Sequence, residues 1–250
     1  MKINEVIVES AVDEGWKDWA ATGALAAGMA MGAPAADAKP VKHHAKPAAV
    51  QKAPALSPQV ANKVAAIKAD VKKPSNIETT GVSMNTGAEH VVAKVAMQSG
   101  IRGTELAQFM AQTNHESADF SRMKEIGGAK YFHKRYDPKV APKTAKILGN
   151  THAGDGVKYH GRGYIQITGR DNYRMAGEAL GLPLEQHPEL AATPEVAAKI
   201  AVWYWKTRVK PNVTNFNDTQ AVTKYINPAL RGLKDRLENF KEYKTAMNLA

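Results

Sequence analysis

Apolar residues recur at three-and-four spacing through most of the chain beyond residue 86, which predicts a mainly α-helical protein. The clearest run starts at Arg102, where Leu106, Phe109, Met110 and Thr113 make one stripe of a helix roughly 16 residues long. His115, Glu116 and Ser117 interrupt that stripe at its C-terminal end. Before it, residues 88–98 turn Val91, Val92, Val95 and Ala96 inward and stop at Gly100. Residues 58–72 make a shorter helix with Val60, Val64, Ile67 and Val71 on one side, halted by Pro74. Residues 144–148 read as a helical turn, and 149–156 as a Gly- and Asp-containing loop.

The pattern changes at residues 159–173, YHGRGYIQITGRDNY. Tyr164 to Thr168 alternate imperfectly, as an extended segment does, and would turn Gln166 and Thr168 towards a cleft. Helices resume afterwards. Asn172 is placed to cap residues 173–180, which Gly181 and Pro183 end. Thr193 caps the next helix, Pro194 takes its first turn, and Val196, Ala197, Ile200, Trp203 and Tyr204 face inward up to about Thr207. Trp203 and Trp205 cannot both point inward, and Trp203 is the expected structural one. Residues 218–225 form a short helix ended by Asn227 and Pro228. Leu233, Leu237, Phe240, Lys244 and Met247 outline the last. The fold class is a mainly α-helical domain with a small extended element at a cleft, not an alternating parallel-sheet protein.

Composition divides the 250 residues further. Residues 1–38 form a tail: an acidic stretch over 2–18 that could be partly helical, then a charge-free Ala/Gly-rich run over 20–36. The acidic leader argues against an export signal, and a weakly apolar run broken by Pro34 argues against a membrane span. Docking, packaging or plain disorder is the preferred reading, with export or tethering the alternative. Residues 39–83 are an Ala/Pro/Lys-rich linker plus the short helix, and residues 84–250 are the main domain. His43 and His44, adjacent in the linker, read as bystanders rather than metal ligands. The formal charge is +10, and residues 84–250 hold 24 basic against 16 acidic residues. That surplus suits a polyanion without choosing among nucleic acid, phospholipid and an acidic wall polymer. Zero cysteines exclude disulfides and thiolate zinc sites.

Candidate chemistry centres on Glu116 and on Glu125, nine positions later in a stretch broken by Gly127 and Gly128. Glu116 lies two turns beyond Phe109, leaning back over a partly buried face at a helix C-terminus. Lost hydration and the helix dipole both favour its protonated form, which a general acid requires. The bland alternative is a glutamate that reaches solvent from a helix end. A helix-end acid facing a loop acid is one way to hold two carboxyls across a cleft, about 6.5 to 9.5 Å apart in inverting glycosidases. Tyr131, Phe132, Tyr136 and Pro138 either floor a sugar subsite or belong to the core. The Gly161–Arg162–Gly163 unit lacks the longer glycine pattern and the lysine of a nucleotide loop.

Three pieces in order, FMAQTNHES, GRGYIQITGRDNY and INPALRGLKDR, resemble glycoside hydrolase family 19, and among its members the bacteriophage endolysins more than the plant chitinases. The resemblance covers roughly residues 86–243. It implies a lysozyme-like two-lobed helical fold and inverting hydrolysis of β-1,4 glycosidic bonds. By the same resemblance Glu116 is the general acid, Glu125 the general base, and Thr168 the residue holding the attacking water. His115, Tyr159, Gln166 and Asn227 match substrate-binding or positioning places. Pro228 and Ala229 stand where the family's ING segment has glycines, which alters the subsite beside Asn227.

The expected substrate is the peptidoglycan glycan strand, with chitin as the enzymatic alternative. A virion-associated glycan-binding or structural protein is the reading from another class. No cofactor or metal is expected, since two acids and a water complete the proton transfers. Nucleic acid is not an expected partner, because the basic residues are not interleaved with stacking aromatics. The expected protein is a monomer made in the host cytoplasm and acting on the bacterial wall, with residues 1–38 as the contact to virion proteins or inner membrane.

Overall fold

The computed structural model describes residues 55–72 and 87–249. The expectations for the 1–38 tail, His43, His44 and the domain boundary at residue 83 lie outside the described residues. Ten α-helices follow one another, and two antiparallel bridges, Lys124 with Arg162 and Arg162 with Ile167, are the β structure among the described residues. The fold class read from the sequence is therefore the observed one, with its extended element reduced to these bridges.

Helix α1, Pro58–Lys72, spans the range its pattern indicates. It lays Val64, with half-buried Val60 and Ile67, on a core shared with Ile167, Tyr173, Leu184 and Ile200. Helix α2, Gly87–Gln98, buries Val92, Val95 and Ala96. Helix α3, Gly103–Glu116, is buried continuously from Leu106 to Thr113, because α2 covers one side and the last helix, Leu233–Ala246, runs along another. A third, smaller cluster joins α4 (Ala129–Tyr136), α5 (Pro142–Leu148) and α6 (Asp155–Lys158) around Phe132, Tyr136 and Leu148.

The stretch expected to be extended is a tight turn instead. Arg162 and Ile167 pair across residues 163–166, and the Gln166 N–H donates to the Gly163 carbonyl at 3.0 Å. Gly163 has φ +74, and a Cβ there would lie 2.8 Å from the Ala191 carbonyl, so the turn nests against the next segment only because that residue is glycine. Helix α7, Arg170–Leu180, starts two residues before Asn172, whose side chain bonds back to the Thr168 carbonyl at 2.7 Å and caps nothing.

Helix α8, Pro194–Tyr204, carries Pro194 in its first turn as expected, though the Thr193 side chain makes no capping bond. The chain then widens into a π-helical turn, Trp205–Val209. Ala198, Ala201, Val202 and Trp205 keep ordinary three-and-four spacing on the face that meets the larger core. Trp205 is the tryptophan that enters the core, edge-on to Phe109 at 5.4 Å, while Trp203 stays half-buried. Helix α9, Thr219–Lys224, is capped by Asp218, whose carboxylate accepts from the Ala221 N–H at 2.9 Å. Helix α10, Leu233–Ala246, turns Arg236, Phe240 and Tyr243 inward and leaves Leu237 exposed. The inward face expected from Leu233 and Leu237 is displaced because α3 presents polar Gln112 and Glu116 to α10.

Candidate active site

Glu116 is the last residue of α3 and only 1% exposed. The helix phase that buries Phe109 and Thr113 carries its side chain inward too. Its Oε1 accepts from Arg236 Nη2 of α10, whereas its Oε2 is buried without a hydrogen-bond partner. Arg236 is itself wholly buried and donates to Gln112 Oε1 at 2.5 Å and to the Arg231 carbonyl at 3.2 Å. Gln112 then donates to Thr223 Oγ1 at 3.0 Å, so α3, α9 and α10 share one polar network inside the larger core.

Past Glu116 the backbone does something unusual. Ala118, Asp119 and Phe120 have φ of +48, +58 and +55, a left-handed turn made by three non-glycine residues in succession. Ser117 ties its start, accepting from the Phe120 N–H at 3.1 Å and donating to the Thr113 carbonyl at 2.6 Å. Asp119 accepts from Asn114 Nδ2 at 3.0 Å, and Phe120 is anchored in the core. The turn redirects the chain towards Glu125.

Glu125 is 5% exposed and fixed by both oxygens. Oε1 accepts from the Tyr136 hydroxyl at 2.8 Å and Oε2 from the Gly161 N–H at 2.9 Å. Its own N–H donates to the Gly161 carbonyl at 2.9 Å, locking residue 125 to the start of the 161–167 turn. Burial pushes its carboxyl above the ordinary glutamate range, and the Gly161 and Tyr136 donors pull the other way. Tyr136 is pushed up in turn, by burial first and then by the neighbouring carboxylate. Phe132 and Tyr136 are thus core residues, Pro138 is half-buried and Tyr131 is exposed, so the core half of that group's split reading holds for Phe132 and Tyr136.

Gln166 belongs to this site. A Cβ at Gly161 would lie 3.0 Å from Gln166 Oε1 and 3.2 Å from Glu125 Oε2, so that glycine keeps the two side chains close. Gln166 has a left-handed φ of +50 and spends its amide donors on the Gly163 carbonyl at 2.8 Å and the Arg122 carbonyl at 3.4 Å. Thr168 is buried and its hydroxyl donates to the Gln166 carbonyl at 2.8 Å.

None of the remaining expected site residues bonds to Glu125. His115 Nδ1 meets Asp235 Oδ2 at 2.5 Å, and its ring fills the space a Cβ on Gly232 would need. Asn227 is buried with neither amide atom partnered, while its N–H donates to the Thr223 carbonyl at 2.6 Å. Tyr159 is wholly buried against Tyr173, its hydroxyl donating to the Glu185 carbonyl at 3.0 Å. In place of the ligand-facing role expected, the structure gives it a packing role. The two acids share no hydrogen-bond partner. They are connected through residues 117–125, where the Arg122 N–H reaches the Ser117 carbonyl at 2.8 Å and the Gly163 N–H reaches the Met123 carbonyl at 3.0 Å.

Sequence reasoning missed two residues here. Arg236 was hidden because a lone arginine among KDRLENF reads as solvated, yet 236, 240 and 243 do share one helical face. Arg170 was hidden for the same reason. It braces Asp155 at 2.5 Å and Glu185 at 2.6 Å, holding the small third cluster to the segment after α7.

The comparisons with known proteins agree on one family. Residues 74–228 match the family 19 glycoside hydrolase model, described as chitinase class I. A glycosyl hydrolase family 19 domain-containing protein of Haemophilus influenzae is 34% identical over 172 residues, 60% of this chain and 84% of that protein. An endochitinase of Arabidopsis thaliana is 38% identical over 117 residues, and the aligned part spans 46% of this chain but only 37% of the endochitinase. Among solved structures, a bacterial family 19 chitinase superposes with a TM-score of 0.51 at 23% identity, covering 67% of this chain and 89% of that one.

Proposed function

The chain belongs to glycoside hydrolase family 19, and from that premise we propose that it hydrolyses β-1,4 glycosidic bonds of peptidoglycan by inversion, with Glu116 as acid and Glu125 as base. The observation that carries the assignment is the unpartnered, buried Oε2 of Glu116 at the end of α3. Arg236 holds the other oxygen as an ion pair, so Oε2 is the oxygen left to take up a proton once substrate is bound. In the reaction that proton goes to the glycosidic oxygen as the bond to the anomeric carbon breaks. A water attacks that carbon from the opposite face and gives its proton to Glu125.

Glu125 supports this division of labour. A carboxyl raised by burial is a stronger base once ionised, and its two donors keep it aimed. Thr168 gives its own hydroxyl proton to the Gln166 carbonyl, which leaves the oxygen lone pairs to accept from the attacking water. Asn227, with both amide atoms unpartnered, is the hydrogen-bonding group left for the sugar.

The positive surplus of residues 84–250 supports an acidic glycan such as peptidoglycan. Chitin is the second reading, favoured by relatives named as chitinases. Peptidoglycan places the enzyme at the bacterial wall, and residues 1–38 would attach it to a virion or to the inner membrane. The test is a zymogram on purified walls with Glu116→Gln and Glu125→Gln beside the parent, followed by product analysis. Reducing-end muramic acid from the parent and losses of about 10²- to 10⁴-fold in both variants are expected. Oligomers from soluble chitin with untouched walls would move the substrate to chitin. Wild-type clearing by Glu116→Gln would remove the mechanism.

A further inference from the structure

The small lobe of α4, α5 and α6 has an outer surface of one sign. Between Ser121 and Asn150 every exposed charged side chain is a lysine: Lys124, Lys130, Lys134, Lys139, Lys143 and Lys146. The two acids of that stretch, Glu125 and Asp137, are buried and spend their oxygens inside the lobe. None of the six lysines makes an ion pair with a described residue. On the adjoining helix α7, Asp171 lies against Gly149 and already pairs with Arg174.

Apolar side chains stand among these lysines. Of the four exposed large hydrophobic residues in the described chain, three are here: Ile126 at 71%, Tyr131 at 38% and Val140 at 49% exposed. Ile126 precedes α4, Tyr131 is on it, and Val140 follows it. Inward, α4 places Phe132 and Tyr136 on the cluster with Leu148, so the helix has one greasy face fully used and one cationic face that no element among the described residues covers.

We propose that this surface docks the protein on an anionic phospholipid bilayer. Lysines alone would suit any polyanion, including a wall glycan or a nucleic acid. The exposed aliphatic side chains decide between these. Ile126 and Val140 meet only small C–H faces on a sugar ring and none on a phosphodiester backbone, whereas the acyl boundary of a bilayer takes them fully out of water. Tyr131, with Arg135 over its ring at 5.2 Å, has the amphipathic character that sits at headgroup depth. Docking in this way goes beyond glycan hydrolysis. It would hold the lobe that carries Tyr136, the partner of Glu125, at the membrane side of the wall.

The test is co-sedimentation of the full chain with vesicles of phosphatidylglycerol and phosphatidylcholine in equal parts, and with phosphatidylcholine alone. Binding to the first and not the second is expected. Lys130→Gln/Lys134→Gln should weaken it by about 25-fold, roughly fivefold per lysine near an anionic surface. Ile126→Ser/Val140→Ser should also weaken vesicle binding, while leaving binding to soluble polyphosphate as in the parent. All four positions are exposed, so thermal melting of both double variants should match the parent. If both variants sediment like the parent, the contact lies elsewhere in the chain and the proposal falls. It falls equally if the Ile126/Val140 variant alone binds vesicles undiminished, since any polyanion would then serve. Wall hydrolysis in zymograms should be unchanged in both, which keeps this outcome separate from that of the glycosidase reading.

Discussion

Arg236 and Glu116 stand 120 residues apart in the chain and meet as an ion pair with 0% and 1% of their side chains exposed. Such a pair is costly to assemble and costlier to break, because removing one partner strands the other charge in a closed site. Arg236→Ala is expected to lose about 3–5 kcal/mol, or roughly 10 °C in melting temperature for a domain of this size. Adding Glu116→Gln removes the stranded charge and should recover much of that loss. Calorimetry on the two single variants and the double one measures it. An Arg236→Ala loss that persists in full beside Glu116→Gln would assign the effect to packing rather than charge.

Why the helices were legible and this pair was not follows from what each depends on. Val60, Val64 and Ile67 announce α1 by local spacing alone, and the same holds for Val92, Val95 and Ala96 in α2. Burial of Arg236 depends on what α3 presents to α10, information that no window of ten residues contains. Trp205 escapes the reading for a related reason: α8 is packed on two faces, Ala198, Ala201, Val202 and Trp205 on the larger core and Val196, Ile200 and Trp203 on the second, and a single apolar stripe does not say which tryptophan goes deeper. The 161–167 turn imitates a strand in its residue types, yet Gly163 and left-handed Gln166 fold it back on itself. The two proposed acids stand out in the sequence by their helix-end and glycine-bounded settings. Tyr136, eleven residues after Glu125, was visible only as an aromatic of undecided role.

The Tyr136 hydroxyl gives a direct handle on Glu125. Burial raises this carboxyl, and the hydroxyl hydrogen bond to Oε1 partly opposes the rise. Tyr136→Phe removes the opposing donor, so the carboxyl should rise further. A base works in its ionised form, so activity appears as pH climbs through its pKa. The acid limb of kcat/KM should therefore start above the ordinary glutamate range in the parent and move to still higher pH in Tyr136→Phe. The pH profiles of the two proteins check this. Superimposable acid limbs would mean that Glu125 is not the group titrating. The lost hydrogen bond should also cost about 1 kcal/mol in stability.

His160 makes stability depend on pH in a defined window. Its ring stacks on Phe132 at 4.3 Å, and its Nδ1–H donates to the Val157 carbonyl at 2.7 Å. Burial, helped by Arg162, lowers its pKa from 6.5 to about 4. Above pH 6.5 folded and unfolded chains both hold it neutral, and its contribution is complete. As pH falls from 6.5 towards 4, only the unfolded chain takes the proton, so stability declines across that interval and levels off below it. His160→Gln cannot bind that proton. Urea denaturation at steps from pH 7 to 4 should give a shallower decline for the variant, and parallel curves would show that His160 is not the source.

Ala118 offers a test of what the turn between the two acids does. It is the first of three left-handed residues joining α3 to the Glu125 stretch, and only glycine adopts that conformation without a steric penalty. An Ala→Gly change usually destabilises a folded chain by enlarging the freedom of the unfolded one, by about 0.4–1 kcal/mol. Here relief of a left-handed penalty of roughly 1–2 kcal/mol should offset that loss, leaving Ala118→Gly neutral to slightly stabilising. A β-branched residue has no such relief, and Ala118→Val should lose stability clearly. The same strain fixes the path along which Glu125 follows Glu116, so the glycine variant should keep or raise its melting temperature while its turnover on cell walls falls. Melting curves and kcat measured on the same preparations separate the two effects. A variant that melts higher with unchanged kcat would show that the left-handed turn is tolerated by the fold and has no part in placing the acids.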